Sequence, residues 1–499
     1  MNKLNKYDAY STIPSFLGLK QDDEFGNDPR MALEVQNMET VDGALQPAAA
    51  CTIMTPQLTS PIETLARLYR RWTSATEKEL LVAASGGKLY AMTPSASDWT
   101  ELLMPQDVTA WSSNVWSWVT YEVNPEGSTS PVDVLLMSNA KDGMIMINGN
   151  TLDVTQVETP KKFGIIERYA ERIWGGAIDD DPDMLMYSAP FDPTDWEAQT
   201  EIPEDGAGEI SQPSWDGDSF TSLKAFGAQL IAFKKTRVWR ILGTDPGEYA
   251  FKEQFGGGAP YPGTIAVDTE RILMATKHGV DVYDGLSVQP FYHDTCKDVF
   301  AEINASYADQ CVACMWNDKY YLAMPMGNST INNAVLIYDT HEGSWLLRRD
   351  VCAEAFLPTT DKLYFTSSTT PGRLWQWQED SWKTGTATLA ATKWVTPWND
   401  LGRKDIVKGG FEVYFQMEVK TAAVALKISI QTEKKIKTKT FTLSPLTSTQ
   451  ISNNQGYKQK RLHFGGSGRR FRLIIETAAG QPVWRLVGGM LIVSETDPD

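Results

Sequence analysis

Residues 89–99 read LYAMTPSASDW, and residues 186–196 read MYSAPFDPTDW. Each holds a tyrosine (Tyr90, Tyr187), a turn containing Pro with Ser or Asp, and then Asp-Trp at the same distance (Asp98-Trp99, Asp195-Trp196). Such self-similarity is either shared turn composition or one unit of a repeat architecture, and the second reading decides the fold. The wider pattern favours the repeat. Short strands rich in β-branched or aromatic residues, opened by a Gly, Asn or Asp turn, recur as GGKLYAM (86–92), DGMIMING (142–149), DMLMYSA (183–189), KTRVWRIL (235–242), HGVDVYDG (278–285), NAVLIYDT (333–340) and GRLWQWQ (372–378). With Tyr90, Ile147, Tyr187, Trp239, Tyr283, Tyr338 and Trp375 as equivalent anchors, the intervals are 57, 40, 52, 44, 55 and 37 residues.

Most units also hold a preceding alternating strand, such as AQLIAFKK before TRVWRI and KYYLAMPM before NAVLIYD. Four short antiparallel strands at this period predict an all-β chain built on a β-propeller of six or seven blades, over residues 51–394. The alternative is a series of unrelated hairpins in a sandwich. The aromatic-turn-tryptophan motif returns at Tyr338 with Trp345 and at Trp375 with Trp382, which favours the propeller. Helical periodicity is scarce, PIETLARLYRRW and CKDVFAEI being the best stretches. From Gly410 the text changes to longer alternating strands (FEVYFQMEVK, VALKISIQT, KTKTFTLS, RRFRLIIET, WRLVGGMLIVSE), which predict an antiparallel β-sandwich over 395–499. Residues 1–50 fit neither pattern and read as an extended N-terminal arm.

The chain has 499 residues, 42% hydrophobic and 11% aromatic, with no apolar run near the ~20 residues a membrane span needs. MNKLNKYDAYSTIPSF has no apolar stretch after its positive charges, so no secretory leader is expected and assembly in a cytoplasm is. Five cysteines in so long a chain predict reduced thiols. The net charge of −17 is uneven: residues 395–499 carry 16 Lys+Arg against 9 Asp+Glu, leaving a net of −24 on residues 1–394. An acidic body of that size does not grip nucleic acid, although it can form a wall past which DNA slides.

Motifs for chemistry are few. Cys311-Val-Ala-Cys314 lacks the second ligand pair a zinc site requires. IDDDPDM (178–184) concentrates four aspartates, without the glycine and terminal glutamate of a calcium loop, and reads as a solvated turn. FGGGAPYPG and FGGSGRR supply no Gly-Lys-Ser/Thr and read as turns. The four histidines, His278, His293, His341 and His463, stand in no recognisable nucleophile-base or metal motif. No catalytic residue, cofactor or metal is assigned, and the expectation is a protein that is not an enzyme. One basic feature stands out: Lys435, Lys437 and Lys439 alternate, so on a strand they share a face with Lys434 at its edge, and Arg469, Arg470 and Arg472 form a second cluster. They serve either as edge protection or as a contact for an acidic partner or DNA.

FLGLKQ and ALEVQNMETVDGALQP near the N-terminus, followed by LKAFGAQLIAFKKTRVWRILG, ATKHGVDVYDG and WNDKYYLAMP…NAVLIYDTHEGSW, resemble the tail hub or nozzle proteins of short-tailed bacteriophages, also called packaged-DNA stabilisation proteins. The resemblance runs from about residue 15 to 378; at LQPAAACT the chain departs from the basic residue and glycine expected there. It implies a structural virion protein: a homo-hexameric ring below the portal and adaptor that continues the DNA channel, retains the packaged genome, passes it during ejection and docks tail fibres or spikes. Double-stranded DNA would pass without sequence recognition, and no stable membrane insertion is implied. A second reading, a carbohydrate-binding or carbohydrate-cleaving propeller, rests on 17 tryptophans and many carboxylates. A third, a bacterial cell-surface propeller, calls for a secretory leader. Burial of the tryptophans separates the first two readings, because inter-blade packing hides rings that a sugar platform exposes.

Overall fold

The computed structural model describes all residues except 1–7, 23, 27, 125–129, 200, 212–216, 255, 385–389, 448–456 and 497–499. Seven four-stranded antiparallel sheets follow one another along the chain. Blade 1 starts at the strand Ile62–Tyr69, blade 2 at Ser117–Val123, blade 3 at Ile165–Tyr169, blade 4 at Ser222–Phe226, blade 5 at Ala266–Val267, blade 6 at Val312–Trp316 and blade 7 at Ala355–Pro358. The chain is an all-β propeller. The fourth strand of blade 7 is Thr52–Gln57, taken from ahead of blade 1 and paired antiparallel to Arg373–Gln376. Blade 7 thereby comes beside blade 1, where Leu357, Tyr364 and Leu374 pack against Leu65, Leu81 and Met92.

All seven sequence anchors lie on third strands: Tyr90 on Lys88–Met92, Ile147 on Gly143–Asn148, Tyr187 on Met184–Tyr187, Trp239 on Val238–Leu242, Tyr283 on Val280–Tyr283, Tyr338 on Ala334–Asp339 and Trp375 on Arg373–Gln376. Six of them turn to the preceding blade. Ile147 packs with blade 1, Trp239 with Trp174 and Tyr187 of blade 3, and Tyr338 lies 5.0 Å from Phe291 of blade 5. Tyr187 is the exception, because it packs toward blade 4 while Met186 takes the inward-facing place against blade 2. A shift of one residue reverses the face of a strand, and Gly208, opposite Tyr187 in register, leaves room for the ring.

Trp99 and Trp196 do correspond. Each lies on the connection from third to fourth strand and turns to the preceding blade, Trp99 into the packing between blades 7 and 1, Trp196 against Phe163 at 5.0 Å between blades 2 and 3. The other two markers diverge. Trp345 sits within a fourth strand, directly opposite Tyr338, and Trp382 lies on the short helix Ser381–Thr384, against Lys420. The stretch PIETLARLYRRW, read above as the best helix, is the inner strand of blade 1, where burial between two blades overrides the helix preference of Leu, Ala and Arg. CKDVFAEI does contain the helix Lys297–Ala301.

The sandwich draws on both ends of the chain. One sheet runs Lys458–Gly468, Val407–Val419, Trp484–Thr496, Ala44–Pro47, Met38–Val41, with Asp8–Ile13 also paired to Trp484–Thr496. The other runs Ile436–Leu443, Val424–Thr432, Phe471–Thr477, Thr392–Val395, Glu34–Gln36. The arm is therefore woven into both sheets. It is fastened to the propeller by polar side chains: Gln21 Oε1 accepts from the N–H groups of Asp298 and Val299 at the start of the helix Lys297–Ala301 (3.0 and 3.3 Å), and Asn37 Oδ1 accepts from Arg349 N (2.7 Å). Phe16 meets Trp394 edge to face at 5.5 Å. The arm also changes the charge balance: residues 1–50 carry 4 Lys+Arg against 8 Asp+Glu, so arm and sandwich together are +3 and residues 51–394 are −20.

Candidate functional site

Of the basic residues singled out in the sequence, four converge at one end of the sandwich. Lys434 and Lys435 occupy the hairpin turn between Val424–Thr432 and Ile436–Leu443, closed by Thr432 N to Lys435 O at 2.8 Å and Lys435 N to Thr432 Oγ1 at 3.2 Å. Arg469 and Arg470 occupy the turn between Lys458–Gly468 and Phe471–Thr477. The Glu433 carboxylate accepts from the backbone N–H groups of Arg469 (3.1 Å) and Arg470 (3.0 Å), which holds the two turns together. Lys435 is thus in the turn, and the shared strand face is limited to Lys437 and Lys439.

Those two lie opposite Ile430 and Ile428, both buried, so they stand on the core-side face at the open margin of the sheet. The Lys439 ammonium lies 5.8 Å from the Phe464 ring of the facing sheet. Inward-pointing lysines on an outermost strand block edge-to-edge pairing, and their stems cover apolar surface. Arg472 points the other way. It donates to Gln431 Oε1 (2.9 Å) and stacks at 4.7 Å on Trp398, and burial pulls its pKa down. Among the described residues none of these seven cations has an ion-pair partner.

A second polar centre lies outside every motif singled out in the sequence. Where the arm meets blades 6 and 7, a cleft of about 200 Å3 is lined by residues that include Glu39, Lys319, Arg348, Glu379 and Asp380. Lys319 pairs with Glu379 at 2.6 Å, and Tyr321 donates to the same carboxylate at 3.0 Å. Burial opposes the charge on Lys319, yet the Glu379 carboxylate raises its pKa overall. Glu39 accepts from Gln46 Nε2 and from Ser381 N, both at 2.8 Å, and burial raises its pKa in spite of those bonds. Arg348, fully buried, pairs with Asp350 at 2.5 Å, donates to Ala49 O at 2.9 Å and lies 4.8 Å over Trp377. Every partner is a structural neighbour, so the network acts as a clasp between arm, blade 6 and blade 7. Its one sequence signal is the charged Arg348 inside the apolar stretch SWLLR, a pattern that demands a buried partner.

The remaining motifs take structural places. Cys311 and Cys314 are buried among apolar side chains, which pushes both thiols up, Cys311 to about 12. In the aspartate-rich turn, Asp180 pairs with Lys161 and Asp183 with Lys234. His293 meets Asp281 at 2.6 Å, and His463 meets Glu412 at 2.8 Å on a carboxylate that Arg461 also pairs with. Among the described residues no three metal-ligating side chains cluster, and no helix is long and apolar enough to cross a membrane. Of the described tryptophans only Trp72 is exposed.

No protein-family model matches the chain, and no curated protein does. Among solved structures it is similar to YCF48 in a peptide complex (8% identity, 66% of this chain and 95% of that one, TM-score 0.40). It is also similar to BamB of Moraxella catarrhalis (9% identity, 74% and 100%, TM-score 0.34). A third likeness is to the β-propeller domain of the trilobed protease of Pyrococcus furiosus (12% identity, 63% and 97%, TM-score 0.33).

Proposed function

We propose that the chain is a structural virion protein, a tail hub or nozzle subunit of a short-tailed bacteriophage that assembles as a ring, continues the DNA channel below the portal and adaptor, and docks fibres or spikes. The observation that carries this reading is the work done by the arm motif on which the resemblance rests. Gln21 of FLGLKQ binds the connection between blades 5 and 6 and Asn37 of ALEVQNMET binds the end of blade 6, while the strands on either side of Asn37 join the sandwich. Propeller and sandwich are braced by one segment, as a part under load from an ejecting genome requires. The net charge of −20 on residues 51–394 supports a conduit that limits DNA adhesion. A bore lined mainly by Lys and Arg would overturn that part. Of the sixteen described tryptophans nine are buried, six are half-buried and only Trp72 is exposed, which counts against a sugar platform.

The test is electron microscopy and mass measurement of the purified chain, together with its location in phage particles. A closed ring around a channel in the tail is the expected result. A monomer that cleaves a glycan would overturn the proposal.

A further inference from the structure

Two exposed surfaces of opposite charge stand in this chain, and among the described residues neither holds an ion pair. The first is the sandwich end, where Lys434 and Lys435 directly precede Ile436, which is 55% exposed at the start of the outermost strand, and Glu433 holds the turn of Arg469 to theirs. The second is the connection from third to fourth strand of blade 3, residues 188–207, which continues the MYSAPFDPTDW motif. It carries six carboxylates and no Lys or Arg, and at its two flanks Phe191 and Ile202 are 71% and 54% exposed. Its base is fixed, because buried Arg172 donates to the carbonyls of Ser188 (2.7 Å) and Gly206 (2.6 Å), and Trp196 is packed below it. Among the described residues no hydrogen bond or ion pair joins the two surfaces within one chain.

We infer that the sandwich end of one copy docks on the blade 3 loop of a neighbouring copy, a heterologous contact that rests on the ring reading above and names its interface. The sandwich end offers Ile436 and the loop offers Phe191 and Ile202, each beside charged side chains as in a protein–protein contact, and the charges of the two surfaces have opposite sign. Such charge pairing steers encounter and fixes register more than it adds affinity. A contact between two different patches of one chain closes into a ring when its rotation permits. Nucleic acid also attracts lysine and arginine, but it offers nothing for Ile436, and the acidic loop would remain without a counterpart.

The experiment compares four samples by sedimentation at low and high salt: the wild type, Lys434→Glu/Lys435→Glu/Arg469→Glu, Glu197→Lys/Glu201→Lys/Glu204→Lys, and an equimolar mixture of the two variants. All six side chains are exposed, and circular dichroism checks each fold. The wild type should assemble, more weakly at high salt. Each variant should assemble about tenfold or more weakly, and the mixture should recover assembly because each reversed surface meets its complement. Wild-type assembly that survives in the sandwich-end variant would overturn this interface and leave the ring reading intact. A wild type that is monomeric at every concentration would overturn both. Duplex DNA binding lost in the sandwich-end variant, with assembly unchanged, would assign the cations to nucleic acid instead.

Discussion

Replacing Arg348 by Met tests whether the clasp holds the arm to the propeller. The guanidinium is fully buried and makes three kinds of contact at once: two bonds to Asp350 (2.9 and 2.5 Å), one to Ala49 O (2.9 Å) and a stack on Trp377 (4.8 Å). Methionine keeps much of the stem and avoids a large cavity, so the loss is electrostatic. Removing one partner of a buried ion pair costs ~3–5 kcal/mol. The orphaned Ala49 carbonyl contributes to the same loss and is not added again. Asp350 is only 21% exposed, so it cannot recover its hydration in full. Arg348→Met/Asp350→Asn removes the stranded carboxylate and should recover at least ~1 kcal/mol of that loss. Urea unfolding followed by tryptophan fluorescence reads both, with hydrogen exchange over residues 48–57 as the local probe. An Arg348→Met variant within ~1 kcal/mol of the wild type, or a double variant no more stable than the single, would refute the argument.

Three further outcomes follow from the same geometry. Burial raises the Glu39 pKa above its ordinary 4.5, so the folded state favours the protonated acid; its contribution is fully present below pH 4.5 and is lost as pH rises through the folded value. Glu39→Gln should therefore leave the unfolding midpoint nearly unchanged in acid and raise it increasingly toward neutrality, and a uniform shift at all pH values would count against this. Trp196→Ala should cost ~3–5 kcal/mol because the ring is buried between blades, and Trp99→Ala, on the same kind of connection but less buried, should cost less; thermal unfolding of the pair checks the order. Gly372 has φ +77°, and a Cβ there would stand 2.1 Å from the Leu58 carbonyl oxygen, where the chain leaves the closing strand Thr52–Gln57. Gly372→Ala should destabilise by ~1 kcal/mol or more and raise protease sensitivity around residues 50–60; unchanged digestion would show that the closing strand tolerates displacement.

The blade repeat was legible because one strand per blade carries the same burden. Third strands bury side chains on both faces between neighbouring sheets, so an aromatic or branched residue after a tight turn recurs at each, and spacing alone located all seven. Its limits are equally physical. The period of two makes a one-residue slip at Tyr187 invisible in spacing, and only the partner glycine at position 208 records it. Trp345 and Trp382 repeated the letters of the motif without its geometry, since turn composition is shared by connections that lead to a strand and to a helix.

What sequence spacing could not reach is everything that depends on chain segments far apart. The arm's Glu34–Gln36 pairs with Thr392–Val395, and Ala44–Pro47 joins Trp484–Thr496, partners more than 350 residues away. The arm's strands are two to six residues long, too short for alternation to declare them. The clasp has the same origin, because Glu39, Gln46, Arg348 and Ser381 come from three separate segments and none belongs to a motif. This distribution carries a consequence for assembly. The segment that completes the sandwich also leads directly into the strand that completes blade 7, so neither unit can finish folding without residues 34–57. A chain lacking residues 1–57 should lose sandwich and propeller together, as a single cooperative loss. Two independent unfolding transitions in the intact chain would show that the arm merely decorates them.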